Sequence, residues 1–185
     1  MNKEKNKEVK KMMNVRNKES SRTGVVMIGD WEQQIVDAFN HQMVDEKNWK
    51  SHVPYRNENF LDKIWEMSLN AFDIPREVQV VVDADNQLFI SHGSPGLVWF
   101  DEAPVGMKIP LKCWIHTHPF GSAYFSGRDW LTINTWRMML PEAIVLGGAE
   151  KMTWFRDGEY TEFIRRDYYE VVDGQTKLDD WREEE

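Results

Sequence analysis

One stretch constrains this chain more than any other. An apolar run, Leu111–Ile115, leads into His116-Thr117-His118-Pro119, and Ser126-Gly127-Arg128-Asp129 then opens a helix expected to reach about Leu140 before Pro141. Along an extended strand, residues two apart project to the same side, so His116 and His118 can offer two imidazoles to one metal ion. Eleven residues later, Asp129 lies on the first turn of the helix, from where its carboxylate can swing back and complete a three-ligand set. Two histidines and a carboxylate, with a fourth position left for water, are the donor set of catalytic zinc. Zinc suits these ligands best, with iron, manganese or cobalt compatible. The prespecified pattern of His-x-His with the later Ser and Asp arises by chance about 4 times in 10,000 in a chain of this histidine content. Ser126-x-x-Asp129 is also a helix-capping pattern, in which both side chains satisfy free N–H groups. The pattern therefore has a purely structural reading beside the metal-site one.

The flanking sequence points to an α+β fold. A helix is expected from Trp31 to about Met43 with Asp30 as N-cap, and an amphipathic helix over 59–73 on the spacing of Phe60, Leu61, Ile64, Trp65, Leu69 and Phe72. Val78–Val82 and Leu88–Ser91 read as strands joined by the turn residues Asp83-Ala84-Asp85-Asn86, and Leu97–Phe100 as another strand. Ala143–Leu146 follows, and then Met152–Arg156 and Tyr160–Ile164 around Asp157-Gly158, a hairpin dipeptide. The order is helices, strands, helix, strands, with short turns. It predicts a curved mixed sheet flanked by helices.

Composition removes several classes. The 185 residues, 41% hydrophobic and with nine Trp, suffice for a core without disulfides. The single cysteine, Cys113, excludes a disulfide framework and a cysteine-based zinc finger, and on strand alternation it is a buried thiol rather than a nucleophile. No window approaches the ~18 apolar residues of a membrane span, and no apolar run follows the basic N-terminus, so the reading is a cytoplasmic protein with no membrane role. The net charge of −8 argues against a surface built for nucleic acid. It divides unevenly: residues 1–22 carry eight basic and three acidic side chains, and residues 157–185 four basic and eleven acidic. A disordered basic arm at 1–22 and an acidic tail at 167–185 are expected.

His-Thr-His-Pro, Ser126 eight residues after His118 and Asp129 three further on together resemble the signature of the JAMM (MPN-plus) metalloproteases. Pro104–Ile109, Ile74–Val82 and Ala143–Leu146 extend the likeness to small archaeal members, so that it spans roughly 58–166 and leaves 23–57 as an extension of unassigned role. The resemblance implies an MPN/JAMM-like, cytidine-deaminase-like fold and one zinc per chain on His116, His118 and Asp129. It makes Glu77 the acid–base residue, with Glu66 as rival and Glu102 nearby in sequence, and Ser126 the donor to the oxyanion. It implies a substrate that is a ubiquitin-like or sulfur-carrier protein, cleaved after its extended Gly-rich tail. Trp99, Phe100, Tyr124 and Phe125 then become candidate walls of the tail groove. The family often places a small residue, typically glycine, shortly after the glutamate, where this chain has Val80 to Asp83. A zinc-dependent isopeptidase or peptidase is the expected function. The alternatives are a silent scaffold of the same fold and a DNA-associated protein using the basic arm.

Overall fold

The computed structural model describes residues 28–44, 53–98, 103–158 and 160–165. The expected basic arm and acidic tail, and Trp99, Phe100 and Glu102, lie outside the described residues. Two helices, α1 (Ile28–Val44) and α2 (Glu58–Asn70), come first, separated by a short 3₁₀ turn at Pro54–Arg56. The strands are β1 (Val78–Val82), β2 (Leu88–His92), β3 (Cys113–His118), β4 (Glu142–Gly147), β5 (Glu150–Phe155) and β6 (Tyr160–Arg165), with α3 (Gly127–Trp136) between β3 and β4. They form one six-stranded mixed sheet in the order β2-β1-β3-β4-β5-β6. Only β3 and β4 run parallel. That pair cannot be closed by a tight turn, which is why α3 is spent on the crossover.

The sheet is buried on both faces at its centre because alternate residues of the inner strands feed two separate cores. Val78, Val80 and Val82 of β1 and Cys113 and Ile115 of β3 pack with Ile35 and Phe39 of α1 and Phe60, Leu61 and Ile64 of α2. Val81, Trp114, Ala143 and Val145 face the other way, onto Phe125, Ile133 and Leu140. Cys113 is thus a buried core thiol, with burial raising its pKa. The boundary placed at residue 57 falls inside the first core, where the rings of Phe39 and Phe60 meet tilted, 5.1 Å apart.

Several element ends differ from the sequence reading. Asp30 lies in the first turn of α1 rather than capping it, whereas Asn57 caps α2 by accepting from the Phe60 N–H. Helix α3 stops at Trp136, and Met139 and Leu140 both donate their N–H to the Trp136 carbonyl to close it. Leu97 makes only an isolated bridge to Ser94. β3 starts at Cys113 and runs through His118, so both histidines are strand residues. The turn 83–87 is organised by Asp83, fully buried, whose carboxylate accepts from the N–H groups of Asp85, Gln87 and Lys108. Asn86 there takes a positive φ of 62°, as Asn tolerates better than most residues. No helix among the described residues is long and apolar enough to cross a membrane.

Candidate metal centre

The site lies where the carboxyl end of β3 meets the start of β1 and the N-terminus of α3. In the β1–β3 pairing Gln79 stands opposite His116. Continuing that antiparallel register by two residues brings Glu77 level with His118, on the same face. Both backbone groups of Glu77 are committed: its N–H donates to Ser94 O at 3.0 Å and its carbonyl accepts from Gly93 N at 2.8 Å. Gly93 is required by the fold-back of 94–97, since a Cβ there would lie 1.9 Å from Leu97 O. On the opposite face Thr117 points away from the site. Its hydroxyl oxygen accepts from Val78 N at 2.9 Å and its proton goes to Ser68 Oγ, while Ser68 in turn donates to Arg76 O. The peptide groups on either side of Glu77 are therefore tied to the strand that carries the histidines.

His116, His118 and Asp129 come together, all buried, with one ligand atom from each inside a 4.8 Å group. His116 Nε2 is 3.3 Å from Asp129 Oδ1, and His118 Nε2 is 3.5 Å from Asp129 Oδ2. Two donors at about 2.05 Å from a shared tetrahedral centre stand about 3.3 Å apart, so each of these contacts has the length of a ligand–ligand edge, the two histidines meeting different oxygens of Asp129. His116 Nε2 is buried and makes no hydrogen bond among the described residues, and a metal ion would satisfy it. The donor set and the geometry fit a metal; they do not distinguish which.

Asp129 is oriented by the helix it starts. Its Oδ2 accepts from Ser126 N at 2.6 Å, and its own N–H donates to Ser126 Oγ at 3.3 Å, a reciprocal capping box. Burial works to raise its pKa, but His116, His118 and Ser126 together outweigh it and hold the carboxylate well below the usual range. Burial lowers the His116 pKa. For His118 the same burial effect is overcome by Asp129 and Glu77, and its pKa is raised. Burial, with the Asp129 charge adding to it, pushes the Glu77 carboxyl up to about 7 against the pull of His118 and the Val98 N–H.

Ser126 caps α3, and this settles what the capping pattern does locally without using up the side chain. The cap takes a lone pair, and a hydroxyl retains its proton as a donor. Ser126 is half-buried and lines the same cleft as Glu77, His118 and Asp129, a space of about 230 Å³. Of the candidate wall aromatics, Tyr124 lines the cleft, its ring 5.0 Å from His118. Phe125 does not: it is a core residue beneath the site, 6.2 Å from His116 and 5.4 Å from Trp130. Glu66 sits on α2, ion-paired with Lys63 at 2.6 Å, and takes no part in the cleft.

The sequence reading missed three contributors. Phe120, strongly exposed, forms a wall of the cleft; its place directly after His118-Pro119 was the available signal. Arg128 lines the cleft as well, a consequence of adjoining Asp129 in the first turn of α3. Gly147, opposite His118 in the parallel pair, lets the backbone of Ser122 and Ala123 cross close to it, where a Cβ would fall 2.3 Å from Ser122 C. No local pattern in the sequence foretells that contact.

Comparison of the chain with protein-family models, with curated proteins and with solved structures finds no match.

Proposed function

We propose that the protein is a zinc-dependent metallopeptidase of the JAMM type, with an MPN-like, cytidine-deaminase-like fold, that hydrolyses the bond after the C-terminal tail of a ubiquitin-like or sulfur-carrier protein. The observation that carries this reading is the buried group of His116, His118 and Asp129, two of whose members, His118 and Asp129, line the same cleft as Glu77. His116, His118 and Asp129 are the residues that would hold the zinc. Bound there, zinc would supply Lewis-acid polarisation of the scissile carbonyl and acidify a water molecule.

The chain's own groups do the rest. Glu77, with its carboxyl near neutrality, is matched to take a proton from water and return it to the leaving amine nitrogen. The Ser126 hydroxyl, its proton still available, can donate to the oxygen of the tetrahedral intermediate, an interaction worth about 3 kcal/mol in comparable sites. Asp129 is kept ionised and fixed in rotation by the capping box. A cleft of about 230 Å³ is smaller than the roughly 300–1,000 Å³ pockets of drug-sized ligands, and it suits a narrow extended tail better than a bulky side chain. The turn at 147–150, level with His118, carries no large insertion, and neither does the turn at 83–86 at the opposite end of β1, so selectivity among polyubiquitin linkages is not part of the proposal.

The test is cleavage of fusions in which ubiquitin-like and sulfur-carrier proteins are joined through their C-terminal tails to a reporter lysine. The zinc-loaded chain should release the reporter, a chelator should stop it, and Glu77→Gln should retain zinc without cleaving. Cleavage by a folded, zinc-loaded Glu77→Gln at the wild-type rate would remove Glu77 from the mechanism. A zinc-loaded wild type that cleaves none of the fusions would favour the silent scaffold.

A further inference from the structure

A metal-binding imidazole is ordinarily oriented by a hydrogen bond at its second ring nitrogen. His116 lacks one: its Nδ1 is buried and makes no hydrogen bond among the described residues. What lies against the ring is the indole of Trp114, two residues earlier on the same face of β3. The ring centroids are 4.4 Å apart and the planes within 14° of parallel. That indole is itself held. It is fully buried, its Nε1–H donates to Gln79 Oε1 at 3.0 Å, and Gln79 Nε2 donates to Ser91 Oγ at 2.9 Å. The brace crosses three adjacent strands, from Ser91 on β2 through Gln79 on β1 to Trp114 on β3. The other rings near His116 contribute an edge, His118 at 5.0 Å, and a tilted contact, Phe125 at 6.2 Å. Among the described residues only Trp114 meets it face to face.

We infer that Trp114, locked by Gln79 and Ser91, is the positioning residue for His116 and sets the metal affinity of the site in place of the missing hydrogen bond. A flat contact on one face restricts rotation of the imidazole about its Cβ–Cγ bond and keeps Nε2 aimed at the Asp129 carboxylate. The electron-rich indole face also favours an imidazole made more positive by a bound cation. The inference rests on the metal-centre reading above.

Zinc affinity of the full chain, measured by competition with a chromophoric chelator and with circular dichroism as the fold control, tests it. Gln79→Met conserves volume but releases the indole, and it should weaken zinc binding tenfold or more, the scale of losing an orienting partner. Trp114→Leu should do the same, and so should Trp114→Phe, which keeps a flat face but has no N–H for Gln79 to hold. In a His116→Ala background, Trp114→Leu should cause no further loss. The cobalt-substituted protein supplies a signature that lost stability alone does not move: the visible absorption band should shift in both Gln79→Met and Trp114→Phe. If Trp114→Leu fails to fold, Gln79→Met and Trp114→Phe decide. Folded Gln79→Met that binds zinc as tightly as wild type, with an unshifted cobalt band, would overturn the positioning role and leave the metal centre standing. A folded wild type that binds no zinc would overturn the metal-centre reading and this inference with it.

Discussion

Glu77 should cost the protein stability at the pH where it is proposed to work. Its carboxyl is buried and pushed from the ordinary 4.5 up to about 7. The folded chain therefore holds that proton more tightly than the unfolded chain does. Stability from this group is greatest below about pH 4.5, falls as pH rises towards 7 and levels off above it. The difference between the two values corresponds to about 3 kcal/mol, at 1.36 kcal/mol per pH unit. Glu77→Gln removes the ionisation while keeping the shape. In metal-free protein, the variant should match wild type near pH 4 and exceed it by up to about 3 kcal/mol at pH 8, or about 6 to 12 °C in Tm for a chain of this length. Urea unfolding followed by tryptophan fluorescence across pH 4 to 9, with chelator present, measures this. Asp129 and His116 titrate in both proteins, whereas His118, which Glu77 helps to raise, titrates lower in the variant, so the difference between the two proteins reports the Glu77–His118 pair. Identical pH dependence in the two proteins would show that Glu77 is not held in a desolvating site, and the reasoning on its readiness as a base would fail.

Gly147→Ala forces the backbone at Ser122 and Ala123 to retreat. It should cost about 1–3 kcal/mol in unfolding experiments and weaken zinc binding, because that backbone leads into Ser126 and Asp129. Arg56 donates twice to Glu142, at 2.8 and 2.6 Å, and Glu142 is almost fully buried. Arg56→Ala should cost about 3 kcal/mol, the low end for a broken buried pair because the guanidinium is partly exposed; a combined Arg56→Met and Glu142→Leu chain should recover most of it. Thr117→Val keeps the shape and strips the acceptor from Val78 N–H, for about 1–3 kcal/mol by chemical denaturation.

Much of the site was legible because its parts are local. His116 and His118 are two apart on one strand, and Asp129 is tied to Ser126 by a capping box within four residues. Periodicity likewise gave the helices and most strands, and short turns gave the antiparallel pairs. What stayed hidden depends on contacts between distant segments. Phe125 and Tyr124 are adjacent aromatics, yet one is core and the other lines the cleft, as the path of a loop decides. Gly147 serves a loop 25 residues earlier. The brace from Ser91 through Gln79 to Trp114 needs the β2-β1-β3 order, which alternation alone does not reveal. The packing of α1 with α2 was missed because nothing in 28–44 states what its apolar face meets; Ile35 and Phe39 belong to the same core as β1. Asp30 was misplaced as a cap because a capping residue type within the first turn of a helix looks the same in sequence as one at its boundary.

The central claim is a zinc ion held by His116, His118 and Asp129, and X-ray absorption at the zinc edge of the reconstituted full chain tests it most directly. The predicted spectrum is one zinc per chain with a four-coordinate shell of nitrogen and oxygen at about 2.0–2.1 Å, the scattering pattern of two imidazoles and no sulfur. A sulfur neighbour at about 2.3 Å, an all-oxygen shell without imidazole, or a folded chain that retains no zinc would contradict it.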